Sequence, residues 1–286
     1  MTDVSPTPTP AAEAPRAPKP RSAGLWIGAC YNAHLGHETL DAAELFDHLV
    51  ITEAPRQSDP YFPALRERIV MPLQDGENQL ADPIDDRATE GLRQLALICN
   101  APWVAERVQC MRTLDGKYSL DCVFPPLYTE EMRERYAANA LKLGAALARP
   151  LVFENVPSPF APSTGAMSEG KFLGRLLQTS RGSLQLNLTH LWVSAELRKL
   201  DPYGLLHEYP LDRVSVITTG GVADDPDLAG PWMAAVAPTE ELMEFTQYAV
   251  DCCRGVRAIT FDATGPALDA RLLIGAVSQI RERLAR

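Results

Sequence analysis

Signature motifs of several common enzyme classes are missing from this sequence. No GxGxxG follows an apolar run and no GxxxxGK[ST] occurs, so neither a dinucleotide-binding fold nor a P-loop is indicated. No GxSxG is present to support a nucleophilic serine. None of the six cysteines forms a CxxC pair, which argues against a zinc site built from thiolates. We expect these cysteines to be reduced and mostly buried.

Long apolar runs and an excess of basic residues are also missing. No stretch approaches the roughly 18 apolar residues of a membrane span, and the N-terminus has no signal-peptide h-region. The net charge is -10, whereas binding to a phosphate backbone requires clustered lysine and arginine. We therefore expect a cytoplasmic protein that binds neither membranes nor nucleic acids.

The composition divides the chain into two parts. Residues 1–23 consist mainly of proline, alanine, serine and threonine, with almost no large apolar side chain. Such a segment cannot bury enough surface to offset its conformational entropy, so we predict a disordered tail. Residues 24–286 have the length of one barrel domain, which typically needs about 250 residues.

Eight short apolar runs alternate with longer amphipathic stretches in residues 24–286. Each run has the length of a buried parallel strand and lacks polar alternation. The runs are residues 25–31, 48–53, 68–73, 103–109, 151–156, 183–189, 214–219 and 258–262. Helical patterns lie around residues 39–47, 86–100, 129–148, 168–180, 193–206, 239–256 and 266–285, and two begin with a capping threonine, Thr129 and Thr239. This alternation predicts an α/β fold, an eight-stranded (β/α) barrel of the TIM type.

Polar side chains stand at the predicted strand ends, where barrel proteins carry their functional residues. These residues are Asn32, Glu53, Gln74, Asp75, Glu106, Arg107, Glu154, Asn155, Asn187, His190, Thr218, Thr219 and Asp262. Taken singly, such a carboxylate more often caps a helix or pairs with a neighbouring arginine. Several carboxylates at one mouth, however, repel each other unless a cation, a proton or an arginine compensates. Glu106, Glu154, Asn187 and Asp262 together therefore predict a shared binding site.

The histidines narrow the chemistry of this site. His190, just past the sixth predicted strand, is the best placed of the five histidines, whereas His48 begins a strand and His207 ends a helix, which suits structural roles. Oxygen donors with one imidazole favour Mg, Mn or Fe(II) over zinc thiolate chemistry.

Four stretches carry a family resemblance through their order and spacing: PWVAER, PLVFENVPS, MSEGKFLGRLL and SLQLNL. The chain resembles the multinuclear non-haem iron-dependent oxidases, which include the methanobactin-type and thiaglutamate-type peptide-modifying enzymes. The resemblance runs from about Leu25 to Asp262 and is most specific across residues 103–187. It implies a barrel that binds two or three iron ions and oxidises residues, often cysteine, of a ribosomally made precursor peptide presented by a partner protein.

The resemblance is incomplete at the expected metal ligands. Glu154 and Asp262 keep family carboxylates, and Asn187 and His190 fall on or near the next ligand motif. Glu106 fits a motif glutamate, but Arg107 stands where the family has a ligand histidine. Other ligand positions of the family fall at or near Pro72, Ile217, Met233, Ala235 and Thr260. Lost imidazoles remove lone pairs and a fixed cation repels iron, so a full iron cluster is not expected.

Three hypotheses remain open, and the first is favoured. Under the first hypothesis, the chain is a divergent relative without the iron cluster, in which Arg107 neutralises Glu106 and Glu154. It then binds a precursor peptide or a partner protein in peptide natural-product biosynthesis. Under the second hypothesis, one Fe(II), Mn or Mg ion is held by Glu154, Asn187, His190 and Asp262, as in an oxidase, isomerase or epimerase.

The third hypothesis makes Glu154 a metal-free general base, although the neighbouring Arg107 weakens it in that role. If the chain is an enzyme, Glu154, Glu106 and Arg107 are the candidate catalytic residues. Asn32, Glu53, Asn155 and Thr218 are the further residues expected in the cleft. The orientation of Arg107 discriminates, because a guanidinium that faces the cleft disfavours a bound metal ion.

Overall fold

A computed structural model describes residues 24–31, 42–52, 69–74, 80–112, 119–162, 165–222, 236–263 and 269–284. The predicted N-terminal tail lies outside these residues. Ten strands are described: β1 (Trp26–Cys30), β2 (His48–Ile51), β3 (Ile69–Gln74), β4 (Val104–Arg107), β5 (Cys110–Arg112), β6 (Ser119–Phe124), β7 (Leu151–Glu154), β8 (Ser183–Asn187), β9 (Val214–Thr219) and β10 (Ala258–Phe261).

Eight of these strands close into a parallel barrel, in the spatial order β1, β2, β3, β4, β7, β8, β9 and β10. The barrel closes because β1 pairs with β2 on one side and with β10 on the other. Each barrel strand lies at one of the eight predicted apolar runs, and the strand side chains with described burial are almost all buried, as expected for parallel strands covered on both faces. The predicted (β/α) barrel is therefore confirmed.

Helices cover the outside of the barrel. They are α1 (Asp86–Ile98), α2 (Glu130–Leu147), α3 (Glu169–Ser180), α4 (Leu188–Arg198), α5 (Pro202–Leu206), α6 (Glu240–Cys252) and α7 (Ala270–Leu284). The predicted caps of α2 and α6 are present, since Thr129 accepts a hydrogen bond from Met132 N and Thr239 accepts one from Leu242 N. None of the described helices is both long and apolar enough to cross a membrane.

Two predicted helices differ from the structure. Around residues 39–47 the described part is only a short 3₁₀ turn, Ala43–Leu45. The helix predicted over residues 193–206 is instead two helices, α4 and α5. Lys199 has a left-handed backbone conformation (φ 54°), and Pro202 then starts α5 behind its cap residue Asp201. A proline at the first helical position is well tolerated, but it cannot continue the preceding helix.

The strands β5 and β6 form a separate antiparallel hairpin between β4 and α2, which the sequence did not predict. The hairpin begins three residues after Arg107, at the C-terminal end of β4. At the opposite end of the barrel, the rings of Trp26 and Trp103 stack with their centroids 5.7 Å apart. Both tryptophans lie at strand starts, so the end with the polar residues is the functional candidate.

Candidate functional site

An ion pair between Arg107 and Glu154 lies at the C-terminal ends of β4 and β7. The strand register places these two residues side by side, so both side chains point to the same face of the sheet. Arg107 Nε donates a hydrogen bond of 3.2 Å to Glu154 Oε2. The side chain of Glu154 is 1% exposed and that of Arg107 13%, so the pair is largely shielded from water. The guanidinium therefore faces the site.

The second carboxylate oxygen of Glu154 is held by Asn187. Asn187 Nδ2 donates to Glu154 Oε1 at 2.8 Å. Asn187 is the last residue of β8 and also the cap of α4, where its Oδ1 accepts a hydrogen bond from His190 N at 3.1 Å. Asparagine is well suited to this position, because it can cap the helix and donate to the carboxylate at once.

His190 is a buried, neutral imidazole in the first turn of α4. Its Nδ1 lies 2.8 Å from the carbonyl oxygen of Asn155, which can only accept, so Nδ1 carries the proton. Nε2 then carries the lone pair and lies 3.4 Å from Asn187 Nδ2. Burial lowers the pKa of His190 below its usual 6.5, more than the nearby Glu154 raises it. The ring is therefore uncharged at neutral pH.

Asn155 joins the ends of β7 and β8. Its Oδ1 accepts a hydrogen bond from Asn187 N at 2.7 Å, and its Nδ2 donates to Asn187 O at 3.1 Å. The loop after β7 is anchored in a similar way, because Ser158 N donates to Ser194 Oγ, which in turn donates to His190 O. The backbone around the site is thus fixed by hydrogen bonds from both sides.

Asp262 supplies a second carboxylate, on the residue that follows β10. Its backbone N–H donates to Thr219 O at 2.8 Å, which extends the β9–β10 pairing to the barrel rim. Gly220 permits this close approach, since a Cβ there would lie 3.3 Å from Asp262 Cβ. Asp262 acts electrostatically on both His190 and Cys30, so it belongs to the same site.

Cys30 is a site residue that sequence reasoning missed. It is the last residue of β1 and is 5% exposed. Burial raises the pKa of its thiol well above the usual 9, and Asp262 and Glu154 raise it further, against the opposing effects of a backbone hydrogen bond at Ala263 and of Arg107. The thiol therefore stays protonated at neutral pH. Its place at the end of an apolar run was the signal that could have identified it.

Glu106 does not join the other carboxylates, contrary to the expectation. It pairs in register with Phe153, whereas Arg107 pairs with Glu154, so Glu106 and Arg107 point to opposite faces of β4. Glu106 is buried on the side of α2, where it contributes to the raised pKa of Tyr136. Arg107 therefore compensates Glu154, and the strand separates it from Glu106.

Four of the remaining predicted residues have no described side chain, and the others are buried in the barrel or lie away from the mouth. Asn32, Glu53 and Asp75 lie outside the described residues, and of Gln74 only the backbone is described. Thr218 is buried and on the inner face of β9, whereas Thr219 faces outward to Thr246, 3.0 Å away. The two histidines expected to be structural lie away from the mouth network, His48 bonded to Thr260 and His207 to Tyr248.

The described donors do not fit the iron cluster implied by the family resemblance. Within the described ranges, no three histidine, cysteine, aspartate or glutamate side chains are arranged to hold a metal ion. Among the described residues, His190 is the one imidazole in the network around Glu154, and that carboxylate already accepts from Arg107 and Asn187. A guanidinium offers no lone pair to a metal and repels it by its charge.

The comparison with known families confirms the family resemblance that the sequence motifs indicated. A family model described as "RiPP precursor modification enzyme MbnB/TglH/ChrH" matches residues 80–234, more than half of the chain. A UPF0276 protein from Caulobacter vibrioides (strain NA1000 / CB15N) is 30% identical over 168 residues, 58% of this chain and 59% of that protein. A UPF0276 protein from Anaeromyxobacter sp. (strain Fw109-5) is 29% identical over 143 residues, 50% of each chain. The chain spans about half the length of the curated relatives it matches.

Solved structures share the fold at low sequence identity. D-psicose 3-epimerase from Clostridium cellulolyticum H10, with D-tagatose, superposes with a TM-score of 0.56 at 10% identity, covering 91% of this chain and 97% of that one. A xylose isomerase domain containing protein from Salmonella typhimurium LT2 gives 0.58 at 12% identity, covering 92% and 100%. These likenesses establish a TIM-barrel architecture.

Proposed function

Because the chain belongs to the MbnB/TglH/ChrH family of RiPP precursor modification enzymes, we propose that it binds a ribosomally made precursor peptide at the barrel mouth without an iron cluster. The observation that carries the proposal is the bonding of Glu154. Arg107 and Asn187 hold its two carboxylate oxygens, at the position where the family resemblance places a metal ligand.

The energetics of a buried carboxylate support an arginine in place of a metal ion. An uncompensated buried charge is strongly destabilising, whereas a paired and hydrogen-bonded one is tolerated. Arg107 supplies the positive charge and Asn187 the second hydrogen bond. A cation that approached Glu154 would have to displace the guanidinium or remain a few ångströms from its charge, where like-charge repulsion is strong.

The mouth presents groups suited to a peptide. The described side chains there include two carboxylates, Glu154 and Asp262, one guanidinium, Arg107, and a neutral imidazole, His190. A residual negative charge beside hydrogen-bonding side chains favours backbone N–H groups or a basic side chain of a bound segment. The anchored backbone around Asn155 keeps these groups in place, which lowers the entropy cost of binding.

Peptide binding can be measured by fluorescence anisotropy, with a labelled candidate precursor peptide. Asp262→Asn removes one of the two carboxylates that give the mouth its residual negative charge, so we expect affinity to fall about tenfold or more. Asp251→Asn is the matched control, because Asp251 is exposed on α6. Equal affinity of both variants, or no binding by the wild type, would contradict the proposal. Melting curves establish that each variant is folded.

A second candidate function is favoured by the orientation of His190. Metal-ligating histidines commonly donate their other ring N–H to a backbone carbonyl, as Nδ1 of His190 does to Asn155 O, and Nε2 of His190 faces Asn187. One Fe(II), Mn or Mg ion held by Glu154, Asn187, His190 and Asp262 would then serve a mononuclear oxidase or epimerase. This candidate function requires that the purified wild type contains about one equivalent of metal. The His190→Gln variant should lose that metal, whereas the control variant His207→Gln should keep it.

A further inference from the structure

A row of polar residues crosses five adjacent strands inside the barrel. Gly28 of β1 is in register with His48 of β2 on one side and with Thr260 of β10 on the other. Thr260 is in register with Thr218 of β9, and Thr218 with Asn187 of β8. Residues in register on neighbouring parallel strands point to the same face, and barrel interiors are usually filled by valine, isoleucine and leucine. We call these five residues the polar row.

The polar row begins at His48 and ends in the candidate site. His48 Nε2 lies 2.8 Å from Thr260 Oγ1, so the imidazole spans the strand between them. Gly28 makes this possible, because a Cβ there would lie 2.7 Å from the ring. At the other end, Asn187 holds the carboxylate of Glu154.

Two buried polar atoms of the row have no hydrogen-bond partner within the described part of the chain: Thr218 Oγ1 and His48 Nδ1. Thr218 is 2% exposed and His48 is fully buried. An unsatisfied buried hydroxyl destabilises the folded state, and native proteins rarely leave one. The hydroxyl of Thr218 therefore needs a partner that is not one of the described side chains.

The tautomer of His48 sets the direction in which hydrogen bonds are donated along the polar row. A bare Nδ1 lone pair costs less to bury than an unpaired N–H, so the favoured tautomer carries its proton on Nε2 and donates to Thr260. The hydroxyl proton of Thr260 then points onward and requires an acceptor. Thr218 is its neighbour on the next strand, with a hydroxyl in the same need.

We infer that the barrel interior binds a water molecule at Thr218, between Thr260 and Asn187. The water accepts from Thr260, bonds to Thr218, and completes a hydrogen-bonded path from His48 to the residue that holds Glu154. Buried waters typically make about three hydrogen bonds to polar groups that otherwise lack partners, which matches this environment. The inference is independent of whether the mouth binds a peptide or a metal ion.

A crystal structure of the full chain at about 1.5 Å resolution tests the inference directly. We expect a density peak within about 3.2 Å of Thr218 Oγ1 in the wild type, retained in Thr218→Ser and lost in Thr218→Val. Valine has the shape of threonine without the hydroxyl, so it leaves the water and Thr260 short of a partner. The melting temperature of Thr218→Val should then fall by about 2–4 °C, and that of Thr218→Ser by less.

The opposite results overturn the inference. A wild-type interior with no peak at Thr218 would show that no water is bound there. A melting temperature of Thr218→Val equal to or above the wild-type value would show that the hydroxyl was unsatisfied, because removing an unpaired buried polar group is neutral or stabilising. The density of the wild type decides the question even if a variant fails to fold.

Discussion

Glu169 is a buried carboxyl group at the start of α3, away from the mouth network. Tyr209 donates a hydrogen bond of 2.7 Å to its Oε2. Burial raises the pKa of Glu169 from 4.5 to about 7, because desolvation outweighs the hydrogen bond from Tyr209 and the attraction of Arg198. A carboxyl group of this kind titrates near neutral pH and makes the stability of the fold depend on pH there.

The sign of this dependence follows from the direction of the pKa shift. Since the folded-state pKa lies above the unfolded value, the stabilising contribution is complete below about pH 4.5 and is lost as the pH rises through about 7. The full loss is on the order of 3 kcal/mol. Most of this loss occurs below pH 6.5. Between pH 6.5 and pH 8.5, we predict that the free energy of unfolding of the wild type, measured by urea denaturation, falls by about 1 kcal/mol and then levels off.

Substitutions identify the residue that is responsible for this dependence of stability on pH. Glu169→Gln should flatten the dependence of stability on pH in this range, whereas the exposed Glu134→Gln should leave it unchanged. His48, whose pKa burial lowers to about 4, acts in the opposite direction below pH 6.5, because its contribution is lost as the pH falls from 6.5 through about 4. Above pH 6.5 the contribution of Glu169 is measured without that of His48. A Glu169→Gln protein with the same slope as the wild type above pH 6.5 would refute the assignment.

Cys30 should be less reactive than Cys252. Its thiol is buried, and burial with the neighbouring Asp262 raises its pKa, so little thiolate forms at pH 8. Cys252, on α6, is only partly buried. We predict that iodoacetamide alkylates Cys252 at least about tenfold faster than Cys30, as followed by peptide mass spectrometry. Comparable rates would mean that the mouth is open to solvent at Cys30.

Positions at strand ends predicted most residues of the network around Glu154, but they did not predict which face of its strand each residue occupies. Glu154, Asn187, His190 and Asp262 were predicted from their places at strand ends. Glu106 and Arg107 are adjacent in sequence, and a continuous apolar run does not say which of the two points inward. Strand register decides this, and register is set by the neighbouring strands rather than by the local sequence.

The junction of β8 and α4 is an element with two functions. Asn187 ends the strand and caps the helix without an intervening loop, which fixes His190 one turn away. A cap interaction is worth about 1 kcal/mol, and the hydrogen bond to the charged Glu154 adds about 1.5–3 kcal/mol. The stability of this junction and the geometry of the site therefore depend on the same side chain.

We predict that Asn187→Ala lowers the free energy of unfolding by about 2–4 kcal/mol in urea denaturation. Thr239→Ala is the matched control, since Thr239 caps α6 through Leu242 N and has no role at the mouth. It should cost only about 1 kcal/mol, the value of a cap alone. Equal losses in the two variants would show that the hydrogen bond from Asn187 to Glu154 contributes nothing to stability.

Sequence signals predicted the secondary-structure elements correctly where those signals were strong. The capping threonines Thr129 and Thr239 gave helix starts to within one residue. The hairpin of β5 and β6 was missed because the apolar run at residues 103–109 continues past the end of β4. The division of α4 from α5 was missed because an amphipathic pattern can persist through a short break, even where Pro202 begins a new helix.

The whole molecule has two unlike ends. Stacked tryptophans lie at the strand starts, and a hydrogen-bonded network of Arg107, Glu154, Asn187 and His190 lies at the strand ends. The alternation of strands and helices predicts this architecture from sequence, because buried parallel strands need continuous apolar runs. The chemistry of the mouth needed the structure, since one ion pair across two strands decides how Glu154 is compensated.

Metal content is the measurement that tests the central claim most directly. It is determined by elemental analysis of the full chain, purified anaerobically after growth with added iron. With Arg107 paired to Glu154, the account predicts less than about a tenth of an equivalent of any transition metal. Near one equivalent of iron or manganese would favour the mononuclear site instead, and two or more equivalents of iron would contradict the claim that Arg107 replaces the cluster.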